Sequence, residues 1–434
     1  MRYTYKYKIN STQDLVDKLL TKSKITNYIS ILLSNQEKKG SVFPKKYINY
    51  DLITGVGKLD ELKRNDNSFQ TLRTFHNQHS DWMFGYLSYD LKNEVEDLDS
   101  KNKDGIKANV LSFFIPTYVL LLKGNKLEVL TFQSKDNTDI FLNSLSISKN
   151  TKPHTVKLVL RENKKEYIEK IRAIKKHIQR GDIYEMNYCS EYFAENVSID
   201  SEELFRSLNK ITKTPFSAFF HLKEHYIMCA SPERFLKKVK AKVITQPIKG
   251  TIKRGGNVIE DEKLIRELKN SQKDISENVM ITDLVRNDLS ITAKKATVKV
   301  EELCRVYTFK KVHQMISTVS SQVSKEVHFT DLLKTVFPMG SMTGAPKLKA
   351  MELIEQYELF KRGIFSGAVG YITPIGEFDF NVIIRTILYN ANTKYLSVGV
   401  GGAITIKSDE EQEYEECLVK IKPIFEALNH KNEN

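Results

Sequence analysis

From about residue 160 onward, strand-length apolar runs outnumber what a regular β-α-β alternation would supply, and that imbalance points away from a doubly wound sheet. The segments Ile183 to Phe193, Ser217 to Ala230, Ser366 to Thr373, Glu377 to Tyr389 and Tyr395 to Ile406 have the length and apolar content of strands. Helical periodicities fall between them. Tyr167, Ile171, Ile174 and Ile178 recur at helical spacing from Glu166 to Arg180, and Gly181 closes that segment. Glu260 to Leu268 and Asp274 to Leu289 read as helices, as does Pro346 to Leu359, whose proline stands where a first helical turn tolerates it. A last helix spans Asp409 to Leu428, with Ser408 or Asp409 as its cap. The architecture expected is α+β.

The first 150 residues carry shorter strand-like runs, such as Trp82 to Tyr89 and Val110 to Leu122, around a polar loop from Asn93 to Lys107. Ser146 to His154 turns to Ser, Asn, Lys and Pro and reads as a connector to the region 160–430. At 434 residues and 41% hydrophobic content the chain can bury a sizeable core. No stretch approaches 18 uncharged apolar residues, so no membrane span is expected. Met1 to Asn10 lacks the apolar centre of a secretory signal. Cys189, Cys229, Cys304 and Cys417 are far apart and form no Cys-x-x-Cys pair, which argues against a zinc site or disulfide framework and fits a reducing cytoplasm. The net charge of +13 admits two readings, attraction of anionic ligands or a solvated lysine surface. The lysines are spread along the whole chain without a stripe of stacking aromatics, so a basic nucleic-acid-binding protein is not expected.

Several constellations suit chemistry. Glu413, Glu416 and Lys420 share one face of the last helix. Glu277 lies on the apolar stripe of Ile281 and Leu284, where a carboxylate needs a partner or a metal. Carboxylates from separate helices suit Mg2+, which takes oxygen ligands and keeps several waters; ordinary solvated glutamates fit the same spacing. The run from Phe337 to Lys347 puts glycines, a serine and Thr343 before a helix, a natural anion site. Gly399 to Ala403, with Gly401 and Gly402, offers a second close backbone approach. Arg385 sits in a strand-like run, where an inward arginine clamps a carboxylate and an outward one is a plain surface residue. Glu233 in Ser-Pro-Glu-Arg-Phe and Lys249 in Pro-Ile-Lys-Gly-Thr could form an acid–nucleophile pair or a simple salt bridge. For a nucleophilic lysine, only about one in 1,000 is neutral at pH 7.4 unless burial lowers its pKa.

Taken in order, these segments resemble the chorismate-utilising enzymes. The resemblance rests on Gly181-Asp-Ile-Tyr184, Ser231 to Phe235, Pro247 to Thr251, Glu277-Asn-Val-Met280, Asp283 to Asp288, Phe337 to Lys347, Ile384-Arg-Thr386, Gly401 to Ile404 and Glu413 to Glu416. It covers roughly 160–428, with a weaker likeness in Phe84 to Asp90. It implies the fold of anthranilate synthase component I: one large unit with two packed sheets and helices outside, the segment 1–150 contributing strands. It also implies Mg2+ held by Glu277 and Glu416 with Glu413 assisting. Arg385, the Ala403 backbone, Gly402 and Lys420 would bind substrate carboxylates, and Thr343 and His313 would line the same pocket.

Position 249 selects the branch. The family's anthranilate synthases carry alanine there, whereas lysine is similar to the type that makes 4-amino-4-deoxychorismate. By that likeness Lys249 attacks carbon 2 of chorismate while Glu233 protonates the departing carbon 4 hydroxyl, and ammonia then adds at carbon 4. Anthranilate synthesis is the alternative. Isochorismate- and salicylate-forming members place a water-activating lysine where this chain has Glu185, itself a departure from the glutamine of amine-adding members. Phe365 departs too, standing where a tyrosine touches the substrate, a contact that Tyr371 or water would have to replace. No Cys–His–Glu amidotransferase segment is visible, so a separate glutamine amidotransferase subunit is the expected partner and source of ammonia.

Overall fold

The computed structural model describes residues 1–35, 47–147 and 155–429. Most of the connector read at Ser146 to His154 lies outside them. Among the described residues two antiparallel sheets pack face to face, one of 12 strands and one of 10. The early strand Tyr28–Leu33 pairs with Phe216–Leu222 in the larger sheet, placing Ile31 opposite Phe219. Met83–Leu87 pairs with Ala368–Ile372 in the smaller one. The first 150 residues thus supply strands to both sheets.

Side-chain alternation explains the layers. In Phe216–Leu222, Phe220 points to the core between the sheets, where it joins Phe84, Phe113 and Phe380. Its neighbour Phe219 points outward to helices, beside Leu204, Leu208 and Leu19. With both faces covered, such strands read as continuous apolar runs. Side-chain caps close the ends of two of the outer helices. Asn163 and Glu166 form a reciprocal capping box at the start of Lys164–Arg180, and Gly181 ends it in the left-handed region at φ 84°. Asp409 caps Glu410–Leu428 through the Gln412 amide. Among the described residues no helix is long and apolar enough to cross a membrane.

Some runs expected as single strands are two. Ser217 to Ala230 is a hairpin, Phe216–Leu222 and His225–Ser231, reversing at Lys223 with φ 59°. Val110 to Leu122 divides into Leu111–Ile115 in the smaller sheet and Tyr118–Lys123 in the larger. Pro116, which cannot donate to a ladder, marks the crossing. Glu377 to Tyr389 divides likewise, into Phe378–Val382 in the smaller sheet and Thr386–Asn390 in the larger. Burial on both faces hides such crossings from hydrophobic periodicity, since each side of the break is equally apolar.

Candidate active site

The chain crosses between the sheets at two neighbouring places, and each crossing carries a charged side chain. His225–Ser231 belongs to the larger sheet and Arg234–Val239 to the smaller, so Pro232 and Glu233 form the first crossing. Ile383 to Arg385 forms the second, with Arg385 in the left-handed region at φ 51°. Two backbone hydrogen bonds tie them together: the Ala230 amide donates to the Arg385 carbonyl at 3.2 Å and the Val382 amide to the Glu233 carbonyl at 3.1 Å. Holding a non-glycine residue at positive φ costs on the order of 1–3 kcal/mol, and such strain gathers at ligand clamps. The Arg385 guanidinium has no hydrogen-bond or ion-pair partner among the described residues and faces the charges of Glu233 and Glu416. Burial pushes the Glu233 carboxyl up to about 7, against the opposite pull of the Ser341 hydroxyl, Lys249 and Arg385. Near neutrality it therefore holds a proton to give.

Lys249 lies on Ile248–Lys253, whose pairing with Val312–Gln322 slips between Ile248 and Thr251. That bulge, with Gly250 at φ 90° against Asp274, re-aims the lysine. Asn278 fixes the bulge by donating to the Lys249 carbonyl at 3.2 Å and the Met315 carbonyl at 3.1 Å. The buried ammonium pairs with Glu185 at 2.9 Å. Burial pulls its pKa down, but Glu185, Glu277 and Glu233 outweigh that pull and leave it above the ordinary lysine value. Burial alone was the route by which the sequence could have made this amine neutral. The surrounding carboxylates reverse it.

Facing Lys249 is an acidic cage. Glu277, on Gln272–Ser290, is buried, and its Oε1 has no hydrogen-bond partner among the described residues. Burial pushes its carboxyl up to about 7, against the opposite pull of Lys249 and Lys273. Glu413 is buried and pairs with Lys273 at 2.9 Å. Glu416 opens toward solvent and pairs with Lys420 at 2.8 Å, and that ammonium holds its carboxyl down at about 2. Gly402 is the close approach: a Cβ there would stand 3.3 Å from Glu413 and 3.5 Å from the Lys420 ammonium. Lys420 also donates to the Gly401 carbonyl at 2.8 Å. Ala403 pairs with Asn187, whose amide donates to the Thr343 carbonyl at 2.7 Å and whose side chain donates to the Ser341 carbonyl at 3.1 Å. The Phe337 to Lys347 run is thereby docked on the strand that carries Glu185.

Residues 27–426 match the family model described as chorismate binding enzyme. The chain belongs to that family. Among its relatives, aminodeoxychorismate synthase component 1 of Escherichia coli is 39% identical over 61% of this chain, and the chain spans 58% of that relative's length. The enzyme of the same name from Klebsiella aerogenes is 35% identical over 79% of this chain and 76% of its own. Anthranilate synthase component I from Streptococcus pneumoniae shares the fold, with a TM-score of 0.76 and 21% identity over 90% of this chain and 95% of that one. Seen within the chorismate binding enzymes, the two-sheet α+β architecture is the anthranilate synthase component I fold.

The structure brings together Lys249, Glu233, Arg385, Glu277, Glu413, Glu416, Lys420 and Gly402, with Thr343 and Ala403 in the wall. It does not bring His313 to them. That fully buried ring is taken up on both nitrogens, by Thr308 at 3.0 Å and by Asp261 at 2.8 Å, and Asp261 in turn chelates Arg254. Phe365 packs its ring on Gly399, where a Cβ would come within 2.5 Å, and Tyr371 lies tilted against Trp82 and Phe84. Two members of the site were not singled out from sequence. Lys273 was legible as the i, i+4 partner of Glu277, at 4.0 Å. Arg362 was not, because its role is long-range: fully buried, it chelates Glu358 at 2.6 and 2.9 Å and donates to the carbonyls of Met342 at 2.6 Å and Asn187 at 2.9 Å.

Whether Mg2+ suits a chorismate binding enzyme of this sequence can be asked of the cage itself. Among the described residues no group of three or more His, Cys, Asp or Glu side chains stands ready to hold one metal ion. Mg2+ does not need one, being held commonly by one or two carboxylates, waters and an anionic substrate. The orphaned Glu277 oxygen and the solvent-facing Glu416 fit that description.

Proposed function

We propose that the protein aminates chorismate at carbon 4, forming 4-amino-4-deoxychorismate with ammonia supplied by a separate glutamine amidotransferase subunit. One observation supports the reading: the buried Lys249 ammonium and the buried Glu233 carboxyl, which burial pushes up to about 7, lie within electrostatic reach of each other, of Arg385 and of the acidic cage. Lys249, as amine, attacks carbon 2 while Glu233 gives its proton to the departing carbon 4 hydroxyl. Ammonia adds at carbon 4 and the lysine leaves, so nitrogen ends on the carbon that lost oxygen. Arg385, Lys420 and the Ala403 backbone hold the substrate carboxylates, with Thr343 and Gly402 shaping the wall. Glu277 and Glu416, assisted by Glu413, would hold Mg2+, which withdraws charge through the ring carboxylate. The names of the E. coli and K. aerogenes relatives support the same product. The free cysteines suit a cytoplasmic setting.

The direct test is to incubate the protein with chorismate, Mg2+ and ammonium chloride and identify the product with and without an aminodeoxychorismate lyase. Product that becomes p-aminobenzoate only with the lyase is expected. Fluorescent anthranilate formed without it would overturn the assignment.

The cage makes a second expectation that needs no turnover. The Glu277 and Glu233 carboxyls, raised to about 7, bind protons in the folded chain that the unfolded chain has already lost above its ordinary carboxylate pKa. The stability that these two carboxyls contribute to the metal-free protein is therefore lost as pH rises from roughly 4.5 to 7. A metal needs its carboxylates deprotonated. Millimolar Mg2+ should accordingly raise the unfolding temperature more at pH 8 than at pH 5.5, and Glu277→Gln should abolish the difference. Equal stabilisation at both pH values would remove Glu277 from the metal set.

A further inference from the structure

We propose that Glu185 is the base that frees the Lys249 amine for attack, the two side chains passing one proton between them in each turnover; this rests on the reading of Lys249 as nucleophile. The Glu185 carboxylate and the Lys249 ammonium are both buried and 2.9 Å apart. Charged groups approach Lys249 from several elements: Glu185 from the strand Glu185–Ala194, Glu277 from the helix Gln272–Ser290, Glu233 from the first crossing, and Glu416 and Lys420 from the last helix, while Asp274 lies against the adjoining Gly250. Of these, Glu185 alone accepts a hydrogen bond from the ammonium among the described residues. Glu233 is committed to the leaving hydroxyl as acid, and Glu277 to the cation.

An ammonium has no lone pair, and the carboxylates that surround this one stabilise its charge. The proton must therefore leave along the contact already made. In the step, the N–H proton moves to the Glu185 carboxylate, and the freed pair forms the bond to carbon 2. Both ring double bonds shift, to carbons 1 and 6 and to carbons 4 and 5, and the carbon 4 to oxygen bond breaks onto the proton of Glu233 to give water. Ammonia then bonds to carbon 4, the lysine–carbon 2 bond breaks onto nitrogen, and Glu185 returns its proton to the amine. Glu233 is reprotonated from the ammonium ion that supplied the ammonia. A glutamine at 185 has no oxygen basic enough to take the proton, so there the amine must lose it to solvent.

The test compares initial rates of carbon 4 amination for the full chain, Glu185→Gln and Glu185→Asp between roughly pH 6 and 9, with free ammonia held constant at each pH. Loss of a direct base is expected to slow Glu185→Gln by about 100-fold near pH 7. The ratio of its rate to the wild-type rate should rise about tenfold per pH unit, as solvent takes over the deprotonation. Glu185→Asp should be slower than wild type but keep the wild-type profile. A ratio that stays constant with pH, or an aspartate variant that follows the glutamine profile, overturns the proposal. Should the glutamine variant not fold, the aspartate profile decides alone. Lys249→Ala run alongside separates the two readings: carbon 4 amination surviving in it removes the nucleophile, whereas its loss together with a constant Glu185→Gln ratio removes only the role of Glu185.

Discussion

Lys249→Ala is expected to lose carbon 4 amination by on the order of 1,000-fold or more, since removing a nucleophile forfeits the whole covalent route rather than one contact. The measurement is product by mass spectrometry from chorismate, Mg2+ and ammonium chloride, with anthranilate fluorescence followed in parallel. Without the amine, ammonia can still meet an activated ring at carbon 2, so residual turnover should appear as carbon 2 amination. The alanine also leaves the buried Glu185 carboxylate without its cation. Lys249→Gln therefore belongs beside it, because an amide still donates to Glu185 while lacking a usable lone pair. Both variants should fail in the same way. If either forms 4-amino-4-deoxychorismate near the wild-type rate, the lysine is not the nucleophile.

Arg362→Met should destabilise the fold by about 3–5 kcal/mol, the cost of leaving a buried charge uncompensated. Arg362 and Glu358 are both almost wholly inaccessible, at 1% side-chain exposure each, so water cannot replace the lost partner. The same guanidinium holds the Met342 carbonyl beside the Asn187 carbonyl, which joins the Thr343 segment to the strand opposite Ala403. The urea midpoint is the readout. Replacing both partners, Glu358→Leu with Arg362→Met, should recover most of the loss, because an apolar pair of similar volume buries no charge. A double variant no better than the single would show that the backbone groups the pair satisfies, the Met342 and Asn187 carbonyls and the Cys189 amide that donates to Glu358 at 2.8 Å, dominate over the ion pair.

How much of this was legible differs from residue to residue. Glu413, Glu416 and Lys420 share a face because helical spacing requires it, and Glu277 stood out as a carboxylate on an apolar stripe. Their joint meaning came from the order of the family's segments, not from periodicity. Position 249 likewise selected a branch of the family, yet nothing local told that the lysine would be held as an ammonium. His313 shows the reverse: a histidine assigned to the pocket by likeness is occupied instead by Asp261 and Thr308. Sequence distance hid that partner, since 52 residues separate His313 from Asp261.

Local sequence was sufficient for the helices Lys164–Arg180, Val258–Asn270, Gln272–Ser290, Lys347–Tyr357 and Glu410–Leu428, for the apolar character of the strands, and for the acidic, basic and glycine residues that chemistry requires, but not for helices such as Ser201–Thr212 and Phe329–Val336. Those properties depend on near neighbours along the chain, through spacing, capping and side-chain type. Which sheet each strand joins, the left-handed turn at Arg385, the meeting of Glu233 with Lys249 and the contact between Lys249 and Glu185 were decided only when the sheets packed. The reason is that both faces of the strands are buried, so the apolar pattern is the same on either side of a crossing, and the charge state of a buried group is set by whatever the other crossings bring against it.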